Sequence, residues 1–227
     1  MPVTDVVDAA QAAARLAECV REAGALALSM FQTPIRNWTK AGASPVSEAD
    51  IAVDRLLRER LHGEASAIGW LSEESADDPA RLDARCVWVV DPIDGTRAFL
   101  AGLPDWTVSA ALVRDGRPIA ACLYAPVTEE FFAAVADAGA TCNGAAIAAT
   151  TGASLADARI AGPKGFLDRL AAVAPPFTAM PRVRSLALRI ARVAQGACDI
   201  AIAGGDSHDQ ALVDPQLRLA TGVRSWK

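Results

Sequence analysis

The chain has few of the side chains on which several common kinds of site depend. Its 227 residues include only two histidines, His62 and His208, and five cysteines that form neither a CxxC pair nor a Cys/His zinc spacing. A structural zinc site is therefore not expected, and catalysis by histidine has few candidates. Five widely spaced cysteines favour free thiols in a reducing cytoplasm.

Clustered positive charge and long apolar runs are also scarce. The formal net charge is −5, and Lys and Arg form no stripe along the sequence, which argues against nucleic acid as a partner. No apolar run is long enough to span a bilayer, so no membrane partner is expected. The first residues lack the charged start and apolar run of a signal peptide, which favours a cytoplasmic location. The composition, 52% hydrophobic and 22% charged, is typical of a soluble globular protein.

The pattern of apolar residues predicts an α+β protein. Helical spacing predicts helices over 4–31, 47–63, 164–173 and 185–195. Short β-type runs predict strands at 67–71, 86–90, 107–113, 118–124, 131–135, 158–161 and 198–203. Residues 33–46 are expected to form a loop. Two helices, an antiparallel sheet and then alternating units indicate layered helices and sheets.

The most informative segment is Asp91-Pro92-Ile93-Asp94-Gly95-Thr96. It follows the apolar run 86–90, so its two carboxylates are expected to leave the end of a buried strand, with Pro92 fixing a turn between them. Carboxylates can hold a hard cation, and the N–H groups at a helix start can hold a phosphate. Asp-Pro and Asp-Gly are also ordinary turn dipeptides, so the hexapeptide alone leaves both interpretations open.

Other acidic residues stand where predicted elements begin or end. Asp50 lies in the first turn of a helix, and Glu73-Glu74 follows the strand at 67–71. Taken singly, Asp50 is equally a helix cap and the glutamates a solvated turn. If the two strands are neighbours, however, their carboxyl ends meet at one edge, where α/β sheets place sites. Carboxylates gathered there repel one another unless a cation lies among them, and Mg²⁺ suits oxygen ligands.

Three separated segments also resemble one known family. Ser44 to Asp50, Leu71 to Ser75 and Asp91 to Thr96, together with Lys40, follow the order and spacing of the inositol monophosphatase superfamily. The resemblance covers most of the chain. It implies a layered αβαβα sandwich of the inositol monophosphatase and fructose-1,6-bisphosphatase type, commonly a homodimer, with Mg²⁺-dependent and often lithium-sensitive phosphomonoesterase activity.

The resemblance also assigns roles by position. Glu73, Asp91 and the carbonyl of Ile93 would bind one metal, and Asp91 and Asp94 would share a second. Two or three Mg²⁺ ions are expected, for which Mn²⁺ would substitute. Glu73 and Thr96 would activate the attacking water, with Asp50 close to Thr96.

The substrate would lie beside these residues. N–H groups of Gly95 and Thr96 would hold its phosphate, and Lys40 would lie on a mobile loop over the metals. Arg184 and Ser185 occupy the region of the family's substrate pocket, although an ordinary helix start explains them equally well. Trp106 is more readily explained as a core residue than as a platform for a base.

The sequence departs from the family near its end. The family carries a further metal ligand in a Trp-Asp pair, which is absent here. One alignment puts Asp209 at the ligand position, and another puts Ala211 there and loses the ligand. We expect residues 1–150 to form the metal- and phosphate-binding α+β region. Residues 151–227 are expected to complete the pocket, with a C-terminal part shorter than is usual in the family.

These departures leave two functional hypotheses and a choice of substrate. The first is a phosphatase acting on a small phosphorylated metabolite, and the second is a family member that binds metal and phosphate with little turnover. Three segments resemble 3′(2′),5′-bisphosphate nucleotidases more than inositol monophosphatases: Leu71 to Glu74, Tyr124 to Val127 and Asp94 to Val108. Inositol monophosphate and histidinol phosphate remain open as substrates. A third interpretation, a structural protein with solvated acidic turns, predicts no binding of divalent cations.

Overall fold

The computed structural model describes residues 8–40, 44–62, 67–151 and 154–203. Its helices are α1 (Ala9–Met30), α2 (Glu48–His62), α3 (Thr96–Leu100), α4 (Lys164–Ala171) and α5 (Leu186–Ala194). Its strands are β1 (Asn37–Thr39), β2 (Pro45–Ser47), β3 (Ile68–Ser72), β4 (Cys86–Asp94), β5 (Thr107–Arg114), β6 (Arg117–Ala125), β7 (Glu130–Val135), β8 (Gly139–Cys142), β9 (Ala145–Ile147), β10 (Arg159–Ala161), β11 (Thr178–Ala179) and β12 (Ile200–Ala201). Within these ranges no helix combines the length and apolar character needed to cross a bilayer.

Strands β3 to β9 form one sheet in sequence order. The pair β3–β4 is parallel, with Ser72 opposite Val90, and all later pairs are antiparallel. Parallel neighbours end at the same edge of a sheet. The segment after β3, which carries Glu73 and Glu74, therefore lies beside Asp91 on β4, as the sequence predicts.

The seven-stranded sheet lies between two layers of helices, and alternate side chains along its strands face opposite layers. Cys122 and Phe131 face a core formed with α1 and α2, whereas their neighbours Leu123 and Phe132 pack against α5 on the other face. This is the two-residue period expected of a sheet that is covered on both sides. Residue Gly24 of α1 lies so close to β6 that a Cβ there would come within 2.3 Å of the Tyr124 ring.

A second, parallel sheet in the order β11-β10-β12 lies beyond α5. Ile160 of this sheet packs with Leu167 of α4 in a separate small core. The successive layers are α1 with α2, the seven-stranded sheet, α5, the three-stranded sheet and α4. The predicted αβαβα sandwich is thus confirmed. The boundary predicted at residue 150 falls between the two sheets, and the division into two regions stays a prediction.

Several local predictions are wrong. Residues 33–46 are not only a loop, because β1 and β2 pair within them. Strand β4 does not end at residue 90 but continues to Asp94, and its register with β5 shifts between Asp91 and Asp94. Proline has no N–H to donate to the ladder, so Pro92 is accommodated at this irregularity rather than in a turn. Strands β8, β9 and β11 were not predicted.

Trp106 belongs to the core, as its sequence context indicates. It is fully buried, and its ring centroid lies 4.9 Å from that of Phe99 and 5.5 Å from that of Phe31. All five cysteines are free and buried.

Candidate active site

A cavity of about 320 Å³ at the carboxyl ends of β3 and β4 collects most of the predicted site residues. The predicted residues that line it are Glu73, Asp91, Ile93, Asp94, Gly95, Thr96 and Arg184. Asp50 and Ser185 are buried next to it. Asp209 lies outside the residues that the structure describes.

The irregular end of β4 determines what faces this cavity. Asp91 is 7% exposed, and Ile93 turns its side chain into the core, where it is 1% exposed. The Ile93 carbonyl accepts a hydrogen bond from Thr96 Oγ1 at 3.0 Å. A single irregular strand end therefore supplies two carboxylates and a carbonyl within four residues.

Thr96 and Asp50 lie within hydrogen-bonding distance of each other, and the resemblance placed Asp50 close to Thr96. Thr96 Oγ1 lies 3.0 Å from Asp50 Oδ1 and the same distance from the Ile93 carbonyl. A hydroxyl has one proton, and both neighbours are acceptors. The lone pairs of Oγ1 thus remain available to accept a hydrogen bond from a water molecule in the cavity.

Asp50 is fixed from its other side by the start of α2. The N–H and Oγ of Ser47 donate to Asp50 Oδ2 at 2.8 and 2.5 Å. The bond from the N–H is the half of a capping box in which the acidic side chain reaches back to the backbone before the helix. Burial raises the pKa of Asp50, while the hydrogen bonds from Ser47 and Thr96 oppose that rise. The functional and capping interpretations of Asp50 are compatible, because each carboxylate oxygen serves one of them.

Gly95 connects β4 to α3 in a left-handed conformation, with φ of +93°. A Cβ at this position would lie 3.1 Å from the Asp105 carbonyl oxygen and 3.4 Å from Ser185 Cα. Glycine is the residue that adopts this conformation without strain, and it lets another group approach the backbone. The turn thus leaves bare backbone on the cavity wall beside Thr96.

Asp94 points toward α5. Its Oδ2 accepts hydrogen bonds from Ser185 Oγ at 2.5 Å and from the Ala187 N–H at 2.7 Å, and the Leu186 N–H lies 3.4 Å from Oδ1. Burial raises the pKa of Asp94, and these donors together with Arg189 oppose the rise. Ser185 is the N-cap of α5, since its Oγ accepts from the Leu188 N–H at 2.9 Å. Its ordinary helix-start role is therefore present, and it also connects α5 to the motif.

Lys40 reaches the segment that follows β3. Its Nζ donates to the Glu73 carbonyl at 2.9 Å and forms an ion pair with Glu74, whose side chain is 2% exposed. Burial raises the pKa of Glu74, and Lys40 opposes this rise. Lys40 thus holds the end of β1 against the backbone of Glu73. The adjacent glutamates are not a solvated turn.

The donor atoms around the cavity suit a hard cation. Glu73, Asp91 and Asp94 supply carboxylates, and none of the described lining residues is a cysteine or histidine. Oxygen donors of this kind fit Mg²⁺. Across the described ranges, however, no group of three or more His, Cys, Asp or Glu side chains is arranged to hold a metal ion. Asp94 contributes to this because three of its roughly four lone-pair positions face α5 donors.

The sequence did not single out three arginines that line the cavity, Arg97, Arg182 and Arg189. Arg182 and Arg189 lie there together with the predicted Arg184. Arg189 is 6% exposed, although it is charged and stands in an amphipathic helix. Helical spacing places Arg189 four residues after Ser185, and that spacing was the available signal for a shared helix face.

The five-layered sandwich is shared with solved structures of inositol monophosphatase type. The suhB protein of Bartonella henselae superposes with a TM-score of 0.78 at 26% identity, covering 92% of this chain and 85% of that one. Residues 8–211 match the sequence model of the inositol monophosphatase family. The chain belongs to the inositol monophosphatase family.

Curated relatives are 31–34% identical to this chain over the parts that match. An inositol-1-monophosphatase of Rhizobium meliloti is 33% identical over 70% of this chain and 63% of its own length. A 3′(2′),5′-bisphosphate nucleotidase CysQ of Shigella flexneri is 34% identical over 53% of this chain and 50% of its own length. The matched part of the chain therefore spans between half and two-thirds of these relatives.

Proposed function

We propose that the protein is a Mg²⁺-dependent phosphomonoesterase that hydrolyses a small phosphorylated metabolite. The observation that carries this proposal is the contact of Thr96 with both Asp50 and Ile93 in a cavity lined by Glu73 and Asp91. One cavity thus contains a hydroxyl hydrogen-bonded to a carboxylate, further carboxylates able to bind a metal ion, and the exposed backbone of Gly95. Membership of the family supports the same chemistry.

Each residue has a distinct part in the proposed reaction. Glu73, Asp91 and the Ile93 carbonyl would hold one cation, and Asp91, Asp94 and Asp209 would hold others. Bound cations stabilise the attacking and leaving oxygens of an in-line displacement. Thr96 Oγ1 would accept a hydrogen bond from the attacking water and donate its own proton in a hydrogen bond to Asp50. Glu73 would orient the same water. The backbone at Gly95 and Thr96 binds the phosphate.

The test is phosphate release from adenosine 3′,5′-bisphosphate and from inositol 1-phosphate, with Mg²⁺ and with a chelator. We expect release that depends on Mg²⁺ and falls at least about 100-fold in Asp91→Asn. Asp83→Asn makes the same chemical change at an exposed position far from the cavity, and should retain full activity. Release that persists in the chelator, or that is equal in both variants, would contradict the proposal.

The orientation of Asp94 favours a second candidate. Because its oxygens face the start of α5, the protein would bind metal and phosphate but turn over slowly. Calorimetry with Mg²⁺ and inorganic phosphate separates the candidates, since binding without release from either ester supports the second. Binding of neither Mg²⁺ nor Mn²⁺ would contradict both.

The most favoured substrates are a 3′(2′),5′-bisphosphate nucleotide and an inositol monophosphate, with histidinol phosphate as an alternative. The names of the relatives support all three classes, since a histidinol-phosphatase of Chlorobaculum parvum is 33% identical over 57% of this chain. On family grounds we also propose lithium sensitivity, a homodimer and a cytoplasmic location. Lithium titration of the activity and the mass in solution test the first two of these.

A further inference from the structure

Helix α2 carries a second buried carboxylate, which the proposed reaction does not use. Asp54 is 8% exposed and stands one helical turn after Asp50, so the two side chains leave the same face of the helix. Asp50 contacts Thr96. Asp54 contacts a different part of the site, the segment that carries Glu73.

Both oxygens of Asp54 accept hydrogen bonds from serine hydroxyls at the end of β3. Ser72 Oγ donates to Oδ1 at 2.5 Å, and Ser75 Oγ donates to Oδ2 at 2.5 Å. Ser72 Oγ also accepts a hydrogen bond from the Glu74 N–H at 3.3 Å. The residues on both sides of Glu73 are therefore tied to one carboxylate on α2.

The backbone of Glu73 is anchored as well. Its N–H donates to the Val90 carbonyl at 3.4 Å, which continues the pairing of β3 with β4. Its carbonyl accepts from Lys40 Nζ at 2.9 Å, and Lys40 also forms an ion pair with the buried side chain of Glu74. Together these contacts fix the backbone from which the Glu73 side chain reaches the cavity.

A buried carboxylate is a costly residue for a purely structural role. The neighbours of Asp54 on α2, Val53 and Leu57, are apolar and fully buried, whereas the charge of Asp54 is met by two neutral hydroxyls. Replacing buried charged groups by well-packed apolar ones is often neutral or stabilising. What Asp54 supplies, and an apolar residue would not, is a fixed position for the segment around Glu73.

We propose that Asp54 is a positioning residue for Glu73, so that α2 sets the distance between the two groups that act on the attacking water. One carboxylate of the helix holds Thr96 and the other holds the segment of Glu73, with one rigid helical turn between them. Residues that orient a metal ligand in this way are worth about 10- to 100-fold in metal affinity or activity. This inference rests on the proposed function, because it takes Glu73 as a ligand of the metal.

The test removes the carboxylate and measures Mg²⁺ binding directly. Calorimetry with Mg²⁺ alone, without an ester, compares the native chain with Asp54→Ala. We expect the dissociation constant for Mg²⁺ to rise by about 10- to 100-fold, because Glu73 is no longer held in place. The kcat for phosphate release from inositol 1-phosphate should fall by a similar factor.

Asp54→Asn separates the effect of position from the effect of charge. The amide oxygen can accept from one serine and the amide N–H can donate to the other, so the segment stays in place although the charge is gone. Most of the affinity for Mg²⁺ should therefore return. A loss in Asp54→Asn as large as in Asp54→Ala would show that the charge of Asp54 attracts the cation, and would overturn the inference.

Two further variants separate positioning from a general loss of stability. Leu57→Ala opens a cavity in the core beside the same helix. It should lower the urea midpoint and leave the Mg²⁺ dissociation constant unaltered. Ser72→Ala breaks the contact from its other side and should raise the dissociation constant several-fold, even if Asp54→Ala does not fold. Combined with Asp54→Ala it should add little, because both changes break one link, and fully additive losses would contradict that link.

The outcomes distinguish this inference from the proposed function. An unaltered Mg²⁺ dissociation constant in folded Asp54→Ala overturns the positioning role, while the proposed reaction stands. Absence of phosphate release from the native chain contradicts the proposed reaction, and the comparison of Mg²⁺ binding still tests the positioning role. A native chain that binds no Mg²⁺ contradicts both.

Discussion

The two sheets of this protein differ in the size of their cores and in the residues that they contribute to the cavity. The seven-stranded sheet packs with α1 and α2 in a large core and positions the acidic residues, Thr96 and Gly95. The three-stranded sheet has a small core of Ala158, Ile160 and Leu167 with α4. The first sheet supplies the groups proposed for chemistry, whereas Arg182, Arg184 and Arg189 come from α5 and the segment before it, between the two sheets.

The regions meet at the start of α5. Asp94 and Asp105, both from the first region, accept hydrogen bonds from Ser185 and Arg184. The start of α5 is thereby fixed relative to the turn at Gly95 by two carboxylates.

The largest expected effect of a single change is on catalysis in the first region. Thr96→Ala removes the hydroxyl that connects the water to Asp50, and general-base assistance is worth about 10²–10⁴ in rate. We expect kcat for phosphate release to fall by that factor. The free energy of unfolding should change little, because Asp50 keeps both hydrogen bonds from Ser47.

Two further variants make the result at Thr96 specific. Thr96→Ser keeps the hydroxyl and should recover most of the activity. Thr128→Ala removes an exposed hydroxyl whose partner is Glu130, and should have no effect on kcat. Activity in Thr96→Ala that equals that of Thr128→Ala would exclude Thr96 from the reaction.

Stability should also differ between the regions. Trp106→Ala opens a cavity between Phe31 and Phe99 and is expected to cost about 3–5 kcal/mol of unfolding free energy. Leu167→Ala in the small core should cost nearer ~2 kcal/mol, because the site is at the edge and 7% exposed. Urea unfolding measures both. Val173→Ala, at an 84% exposed position, is the control with a change below about 0.5 kcal/mol. Equal losses at Trp106 and Leu167 would show that the cores do not differ as described.

The sequence predicted the layers and the convergence of acidic residues because both depend on local signals. The apolar runs at 67–71 and 86–90 are close to the observed β3 and to the first part of β4. Glutamates and aspartates placed directly after them could meet only if the strands were parallel neighbours, and they are. The pairing of Ser47 with Asp50 is a capping pattern read within four residues.

What the sequence did not predict depends on contacts between distant segments. Pro92 indicated a turn, but pairing with β5 extends β4 through it. The orientation of Asp94 depends on α5, which lies about 90 residues later in the chain. The sequence did not single out Arg189, and the packing of α5 between the two sheets buries it. The elements and the positions of the acidic residues at their ends were thus local signals, whereas the orientation of Asp94 and the burial of Arg189 were not.

A smaller effect is expected where the second sheet is held by charge. Arg159 of β10 donates to the Asp199 carboxylate from Nη2 at 2.7 Å, from Nε at 3.1 Å and from its N–H at 2.8 Å. These hydrogen bonds hold the pKa of Asp199 well below its ordinary value. The ionised form is therefore favoured in the folded state. Its stabilisation is complete above the unfolded-state pKa of about 3.9 and is lost as the pH falls further, toward the folded-state pKa.

Asp199→Asn should consequently lower the urea midpoint at about pH 7, by less than Trp106→Ala does, and the difference from the native chain should narrow at about pH 2.5. Asp168→Asn is the control. Asp168 forms an ion pair with Lys164 in which both side chains are exposed, so loss of this ion pair should change the urea midpoint little at either pH. Because Asp199 precedes β12 and contacts neither Thr96 nor the carboxylates that line the cavity, phosphate release from adenosine 3′,5′-bisphosphate should be retained at neutral pH. A loss of that activity as large as in Thr96→Ala would show that the second sheet also positions the catalytic groups, and the division of work between the two sheets would then be wrong.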